Sequence, residues 1–367
     1  MNAEIAIDAR WLHSGLGTYT YNLIAGFHGA CSGFRLRAIV SRHNAERIAP
    51  FCGAVRISDA PIYSLREQFD VPRAARGADL LHVPHYNVPV LYRGKLVVSI
   101  LDVIHITDLE YRKRLATQAY ARTMLKIAAA KSIRVITISQ FSKNQIVERL
   151  GVPASKVAVI YCGVGSQFRP IDPQEARAKV CAELSIARPY ILYVGNLKPH
   201  KNLARFLRAF AALRARNKFD AQVLIVTSDP QGQSQLEALC AELGISGAVD
   251  FRTGISNEML PWIYAAALCL VMPSLLEGFG LPVLEALACG TPVVCSDAAS
   301  LPEVGGDAVE YFDPHSVEEM TEAIARVIHC SDRRAGMSAK AAQQVARFSW
   351  DASARQHCEI YRQALQI

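Results

Sequence analysis

The stretch from Pro273 to Pro292, P-S-L-L-E-G-F-G-L-P-V-L-E-A-L-A-C-G-T-P, constrains this chain more than any other. An apolar run, Leu268–Met272, leads into it. The pattern predicts a strand, a tight glycine turn and a helix start. Gly278 and Gly280 permit a turn that a residue with a Cβ resists. Pro282 suits a first helical turn, where a missing N–H costs nothing. A helix over Val283–Ala288 would aim its unpaired N–H groups at whatever lies over the turn, which makes an anion site. Glu277 and Glu285, eight residues apart, add two carboxylates. Phosphate at the amides and hydroxyls at the carboxylates together describe a sugar nucleotide.

The length of 367 residues exceeds what one core holds, so two domains are expected. Leu260–Leu276, the longest apolar run, is broken by prolines and is too short for a membrane span. The opening Met-Asn-Ala-Glu-Ile-Ala-Ile-Asp reads as a first strand, not a leader. Ten cysteines lie without a C-x-x-C, which predicts buried thiols rather than disulfides or a metal site, in a cytoplasmic protein. Charge is uneven: residues 1–180 hold 24 Lys+Arg against 13 Asp+Glu, and the remainder 16 against 20. A basic half suits an anionic surface or substrate as well as a solvated face.

Strands and helices alternate in two series, which predicts an α/β protein of two doubly wound, Rossmann-like domains. Glu4–Ala9 is a strand, followed by a glycine turn at Gly15 and Gly17 and a helix from Tyr19. The third glycine of a dinucleotide fingerprint is absent, because Thr20 stands there, and no acidic residue closes the second strand. This argues against a nicotinamide enzyme. His85, Tyr86 and Asn87 follow a strand at Leu80–His82. Asp102 and His105 follow a strand at Lys95–Ile100. Ligands in parallel sheets sit at such strand ends. A basic helix over Glu110–Ile133 carries Arg112, Lys113 and Arg114, and is either a solvated face or a membrane-surface helix. Glycine and proline cluster at residues 163–174, the expected linker. Asn196, Lys198 and Lys201 lie between a strand at Tyr190–Val194 and the next helix, where lysines are placed to neutralise a leaving diphosphate.

These pieces resemble the retaining glycosyltransferases of family 4, which have the GT-B fold. The resemblance rests on the E-x7-E stretch Glu277–Glu285, on I-D-A-R-W with G-L-G-T-Y-T-Y-N-L, and on Y-S-L-R-E-Q, H-V-P-H-Y-N-V-P and Y-V-G-N-L-K-P-H-K-N-L. It covers nearly the whole chain. It implies an N-terminal acceptor domain over 1–168, a donor domain over 169–345, and a helix over 346–367 that crosses back. A cleft between the domains would close on the donor. By resemblance Glu285 holds the nucleotide ribose, and Glu277 contacts the donor sugar with a part in catalysis beside Asp102 and His105. The Gly278, Phe279, Gly280 and Leu281 amides bind sugar hydroxyls and phosphate. Lys201 and Asn196 face the diphosphate, Gly15 and Gly17 let the N-terminal loop approach, and His85, Tyr86 and Asn87 meet the acceptor. Two departures stand out: Leu101-Asp102 replaces a His-Asp pair of many relatives, and Asn196 stands where some carry Arg.

The resemblance implies hexosyl transfer from a nucleotide sugar without a metal or other cofactor, GDP-mannose being preferred and a UDP-sugar the runner-up. A non-catalytic sugar-nucleotide sensor is the rival of another class. The acceptor would be a saccharide or a lipid-linked oligosaccharide in cell-surface polysaccharide or lipopolysaccharide assembly. Peripheral contact with anionic lipid at the inner face of the plasma membrane fits the basic half. No nucleic-acid partner is expected.

Overall fold

The computed structural model describes residues 3–12, 14–107, 115–217 and 220–367. The chain divides into two units: Met1–Gly163 with Phe348–Ile367, and Val164–Arg347. The first contains seven parallel strands: β1 (Ala3–Asp8), β2 (Phe34–Val40), β3 (Ala54–Ile57), β4 (Leu80–Val83), β5 (Leu96–Ser99), β6 (Arg134–Thr137) and β7 (Val157–Val159). Their order is β3-β2-β1-β4-β5-β6-β7. The second unit has β8 (Tyr190–Val194), β9 (Gln222–Val226), β10 (Val249–Arg252), β11 (Cys269–Met272), β12 (Val293–Ser296) and β13 (Glu310–Phe312), ordered β10-β9-β8-β11-β12-β13. Central strands such as β4 and β11 are buried along their whole length, as strands covered on both faces must be. In each sheet the order reverses once, between β1 and β4 and between β8 and β11. That reversal opens a crevice at the carboxyl ends of the two strands.

Side chains set several helix starts. Ser139 accepts from the Ser142 amide, Asp172 from the Gln174 and Glu175 amides, and Ser349 from Ala352. Two local expectations change, and a third is seen in part. The first helix begins at Ser14, not Tyr19, so Gly15 and Gly17 lie in its opening turn. The helix expected over Glu110–Ile133 is seen as Leu115–Lys131; Arg112, Lys113 and Arg114 lie outside the described residues. Strand β3 was not anticipated.

The Trp350–Leu365 helix packs on the Ser14–Ala30 helix inside the first unit. A buried hydrogen-bond chain ties it to the sheet. Tyr19 Oη lies 2.7 Å from His357 Nε2 and 2.8 Å from Ser99 Oγ. His82 lies 2.8 Å from Ser99 Oγ through Nε2 and 2.7 Å from Tyr361 Oη through Nδ1. One proton assignment satisfies every link. His357 Nδ1–H donates to the Ser353 carbonyl, so His357 Nε2 accepts from Tyr19. Tyr19 accepts from Ser99, Ser99 from His82 Nε2–H, and His82 Nδ1 from Tyr361. Both imidazoles are then neutral. Burial pushes His357 down to about 4, and burial, then the neighbouring His357, hold His82 well below its ordinary value. An unfolded chain takes up these protons near pH 6.5. Stability is therefore complete above that pH and falls as pH drops from about 6.5 toward 4, by about 1.4 kcal/mol per pH unit for each histidine. Urea midpoints at pH 7.5 and 5.5 test this: a His357→Gln variant should lose less on acidification than the wild type, and equal losses would clear His357 of the effect.

The cysteine expectation is corrected at one pair. Cys31, the residue after the Ser14–Ala30 helix, and Cys358, on the Trp350–Leu365 helix, form a disulfide with Cα atoms 5.8 Å apart, inside the normal disulfide range. They are 327 residues apart in sequence, and no spacing rule reaches that far. The other eight cysteines are free, five of them buried.

Candidate active site

In the second unit β8 and β11 are neighbours, so the loops leaving their ends run side by side. The Leu275 amide donates to the His200 carbonyl at 2.8 Å. Asn202 joins them further. It holds a left-handed backbone, φ +61°, and its Nδ2 donates to the Pro273 carbonyl at 3.0 Å and the Pro314 carbonyl at 2.8 Å. This clamp brings Lys201 to the glutamate turn. Lys201 Nζ lies 2.7 Å from Glu277 Oε1, which also accepts from Ser274 Oγ at 2.7 Å. Both charged side chains are largely enclosed, at 14 % and 10 % exposed.

The turn after Glu277 is held by Ser300, whose Oγ donates to the carbonyls of Glu277 (3.0 Å) and Phe279 (2.8 Å). Of its two glycines Gly280 alone has positive φ, +111°, and a Cβ there would lie 2.7 Å from Leu301 Cδ2. Gly280 caps the Leu281–Ala288 helix; its carbonyl accepts from the Val283 and Leu284 amides at 3.0 and 3.4 Å, and the Leu281 amide precedes the first of these bonds. Glu285, on that helix, accepts a 2.7 Å hydrogen bond from Tyr264 Oη. Burial pushes its carboxyl up to about 7, against the pull of that bond. Asn196 is tied to the same region: its carbonyl accepts from Tyr193 Oη (2.7 Å) and its Oδ1 from the Lys198 amide (3.3 Å). An ammonium, a helix start and two carboxylates thus converge at one strand-end cluster. That set can hold an anion and hydroxyls together.

The first unit builds a different site at the same place in its sheet. A recess is lined by Asp8, Arg10, Trp11, Glu67, His85 and Asn87, among others. Its floor is charged and buried. Arg10 forks onto Asp8 (2.9 and 2.8 Å) and reaches Glu67 at 3.0 Å. Burial raises the Glu67 carboxyl, against the pull of Arg10 and Asn87. Asn87 donates to Glu67 at 2.5 Å and accepts from Tyr120 at 2.6 Å. His85 stacks on Trp11, with ring centroids 5.1 Å apart, and Tyr63 meets the edges of both. Burial, then His105, push His85 down to about 3. Its Nδ1 accepts from the Asn87 amide at 3.1 Å, so its proton sits on Nε2. Aromatic faces beside hydrogen-bond donors suit a pyranose, which has apolar C–H faces and a hydroxyl rim.

The remaining anticipated residues are placed as follows. Tyr86 is buried under His85 and touches the edge of His105. Asp102 accepts from the Ile104 amide at 3.0 Å and so caps the short Ile104–Thr107 helix that carries His105. Gly17 is sterically required, since a Cβ would fall 2.2 Å from the Leu12 carbonyl carbon; Gly15 has open space. Sequence reasoning assigned no role to Asp8, Arg10, Trp11, Tyr63, Glu67, Tyr120, Tyr264, Ser274, Asn202 or Ser300. Asp8, Arg10 and Trp11 sit inside the I-D-A-R-W piece, Tyr63 and Glu67 inside Y-S-L-R-E-Q, Asn202 inside Y-V-G-N-L-K-P-H-K-N-L and Ser274 inside the glutamate stretch, so a signal was present for those seven.

Comparison with known proteins gives the family and the fold. The model of Glycosyltransferase Family 4 matches residues 13–168, and that of Glycosyl transferases group 1 matches residues 183–344. The chain is 29% identical over 284 residues to the O-antigen chain mannosyltransferase B of Escherichia coli, covering 77% of this chain and 74% of that protein. It is 32% identical over 262 residues to the MMP alpha-(1->4)-mannosyltransferase of Mycolicibacterium hassiacum, covering 70% of this chain and 60% of that one. The sucrose-phosphate synthase structure from Thermosynechococcus elongatus superposes with a TM-score of 0.82 at 21% identity, covering 99% of each chain. Two Rossmann-type sheets, the glutamate turn and both family matches lead to one conclusion: the chain belongs to the family 4, group 1 glycosyltransferases and is a glycosyltransferase of the GT-B fold.

Proposed function

We propose that the protein transfers mannose from GDP-mannose, with retention at the anomeric carbon, to a saccharide or lipid-linked oligosaccharide in cell-surface polysaccharide assembly. The observation that carries the transfer chemistry is the Lys201–Glu277 pair beside the Gly280 helix start. An ammonium has three donors, so Lys201 can keep Glu277 and take a phosphate oxygen as well. When the anomeric C–O bond to the diphosphate breaks, the sugar gains oxocarbenium character and the leaving group gains charge. Lys201 and the helix amides meet that charge. The departing phosphate oxygen accepts the proton of the acceptor hydroxyl while the new C–O bond forms on the same face. Glu277 holds the donor sugar and Glu285 the ribose. Asn196 lies near the diphosphate, and the Gly278, Phe279 and Leu281 amides complete the donor contacts. His85 Nε2–H and the Trp11 face receive the acceptor, with Tyr86 and Asn87 holding His85 in place. No metal enters this scheme, so turnover should persist in EDTA.

The choice of mannose is supported by the two relatives above, both mannosyltransferases. Radiolabelled GDP-mannose and UDP-sugars, offered without acceptor, test it. Slow hydrolysis of GDP-mannose supports the reading. Hydrolysis of a UDP-sugar alone replaces the donor, and binding without turnover makes the protein a sensor.

Glu285 gives a pH signature. Hydroxyls bind a carboxylate better than a carboxylic acid, and this carboxyl titrates at about 7. The donor KM should fall as pH rises from 6 to 8 and level off above. Glu285→Gln should flatten the profile, and Glu285→Ala should raise the donor KM by about 10–100-fold, the loss of one charged hydrogen bond. Unchanged donor affinity and transfer in Glu285→Ala would refute the ribose assignment.

A further inference from the structure

Large apolar side chains rarely stand in water in contiguous groups, and a group of them marks an interaction surface. In the first unit Leu65 is 84 % exposed, Phe69 65 %, Leu91 54 % and Val90 38 %, with Tyr63 and Tyr120 exposed beside them. These side chains belong to one rim. Leu65 sits in the turn feeding the Glu67–Ala74 helix and Phe69 lies one helical turn on. The Val90 amide donates to Gln68 Oε1 at 2.6 Å, which fixes the Val90–Leu91 loop against that helix. Tyr63 and Tyr120 meet edge to face at 6.0 Å, which joins the rim to the Leu115–Lys131 helix.

The charge around this rim has one sign. Arg66, Arg73 and Arg93 are exposed within or beside it. The acids nearby are spent: Asp70 pairs with Arg66 at 2.9 Å, and Glu67 is buried against Arg10 and Asn87. We propose that this rim, Leu65, Phe69, Val90 and Leu91 with its arginine border, is a docking face for an anionic lipid bilayer. Aliphatic and aromatic tips would enter the acyl boundary while the guanidinium groups meet lipid phosphates. A second copy of the chain fits worse, because a two-fold contact would set Arg66, Arg73 and Arg93 against their own equivalents. A free glycan fits worse too, since Leu and Val offer it no flat face. No helix of the described residues is long and apolar enough to cross a membrane, so the contact is peripheral. The rim borders the Trp11–His85 recess through Tyr63, and would hold that recess close to an acceptor carried by a lipid. The proposal does not depend on which sugar is transferred.

Flotation with vesicles tests it directly, with no turnover needed. The wild type should float with phosphatidylglycerol–phosphatidylethanolamine vesicles and not with phosphatidylcholine alone. Leu65→Ser/Phe69→Ser/Leu91→Ser should lower the partition coefficient at least tenfold, with the circular dichroism spectrum, melting temperature and donor hydrolysis unchanged. Arg73→Glu/Arg93→Glu should also weaken binding, most strongly at low salt. Three outcomes overturn the proposal: no wild-type binding to anionic vesicles, wild-type binding by the triple-serine variant, or a wild-type dimer that the same variant turns into a monomer.

Discussion

Replacing Lys201 by alanine should lower kcat/KM by about 10²–10³, the usual loss when one preorganised donor to a developing anion is removed. The structure adds a second consequence. Lys201 also neutralises Glu277, and both side chains are largely enclosed. Removing the ammonium leaves a carboxylate with only Ser274 for company, at the position assigned to the donor sugar. Kinetics alone would merge the two effects, but a double-mutant cycle separates them. If Lys201 acts only by holding Glu277, then Lys201→Ala added to Glu277→Gln should cost little more than Glu277→Gln alone. If Lys201 meets the diphosphate, the double variant should still lose at least tenfold beyond Glu277→Gln. Wild-type kcat/KM in Lys201→Ala would remove Lys201 from the mechanism.

The largest stability effect should come from Arg10. Its guanidinium is enclosed between Asp8 and Glu67, all three side chains being at most 7% exposed. Taking away the cation leaves two buried carboxylates facing each other. Breaking such a group from one side typically costs about 3–5 kcal/mol. At about 2–4 °C per kcal/mol for a unit of this size, Arg10→Ala should melt roughly 10 °C below the wild type. Neutralising the whole group, as Asp8→Asn/Arg10→Met/Glu67→Gln, should recover much of that loss, because the desolvated charges then disappear together. A shift of under 1 °C in Arg10→Ala, by calorimetry at pH 7.5, would show that the network contributes no net stability.

Much of the fold was legible because parallel strands covered on both faces are written as short apolar runs. Leu80-Leu81-His82-Val83 and Cys269-Leu270-Val271-Met272 could not be mistaken. Strand β3 was missed for the converse reason. Ala54-Val55-Arg56-Ile57 is an edge strand with two of its four residues exposed, so it carries neither a run nor an alternation. The glutamate turn was readable from its own chemistry, and Lys201 from its position between a strand end and a helix. Their meeting was not readable, since it depends on β8 and β11 being neighbours. The same holds for the Trp11, Tyr63 and His85 cluster, which arises from three separate loops. Local pattern shows what a residue offers, while sheet order decides what it meets.

The final helix bears on how the protein is made. Residues 350–365 complete a unit whose other members were synthesised before the entire second unit. Nascent chains generally fold domain by domain as they emerge, yet here the earlier unit stays open at Tyr19, Ser99 and His82 until the later one has been translated. The second unit can therefore reach its native state first, although its sequence comes later. A chain released after residue 347 would carry a complete second unit and an incomplete first one, with the face of the Ser14–Ala30 helix that packs on the final helix left uncovered.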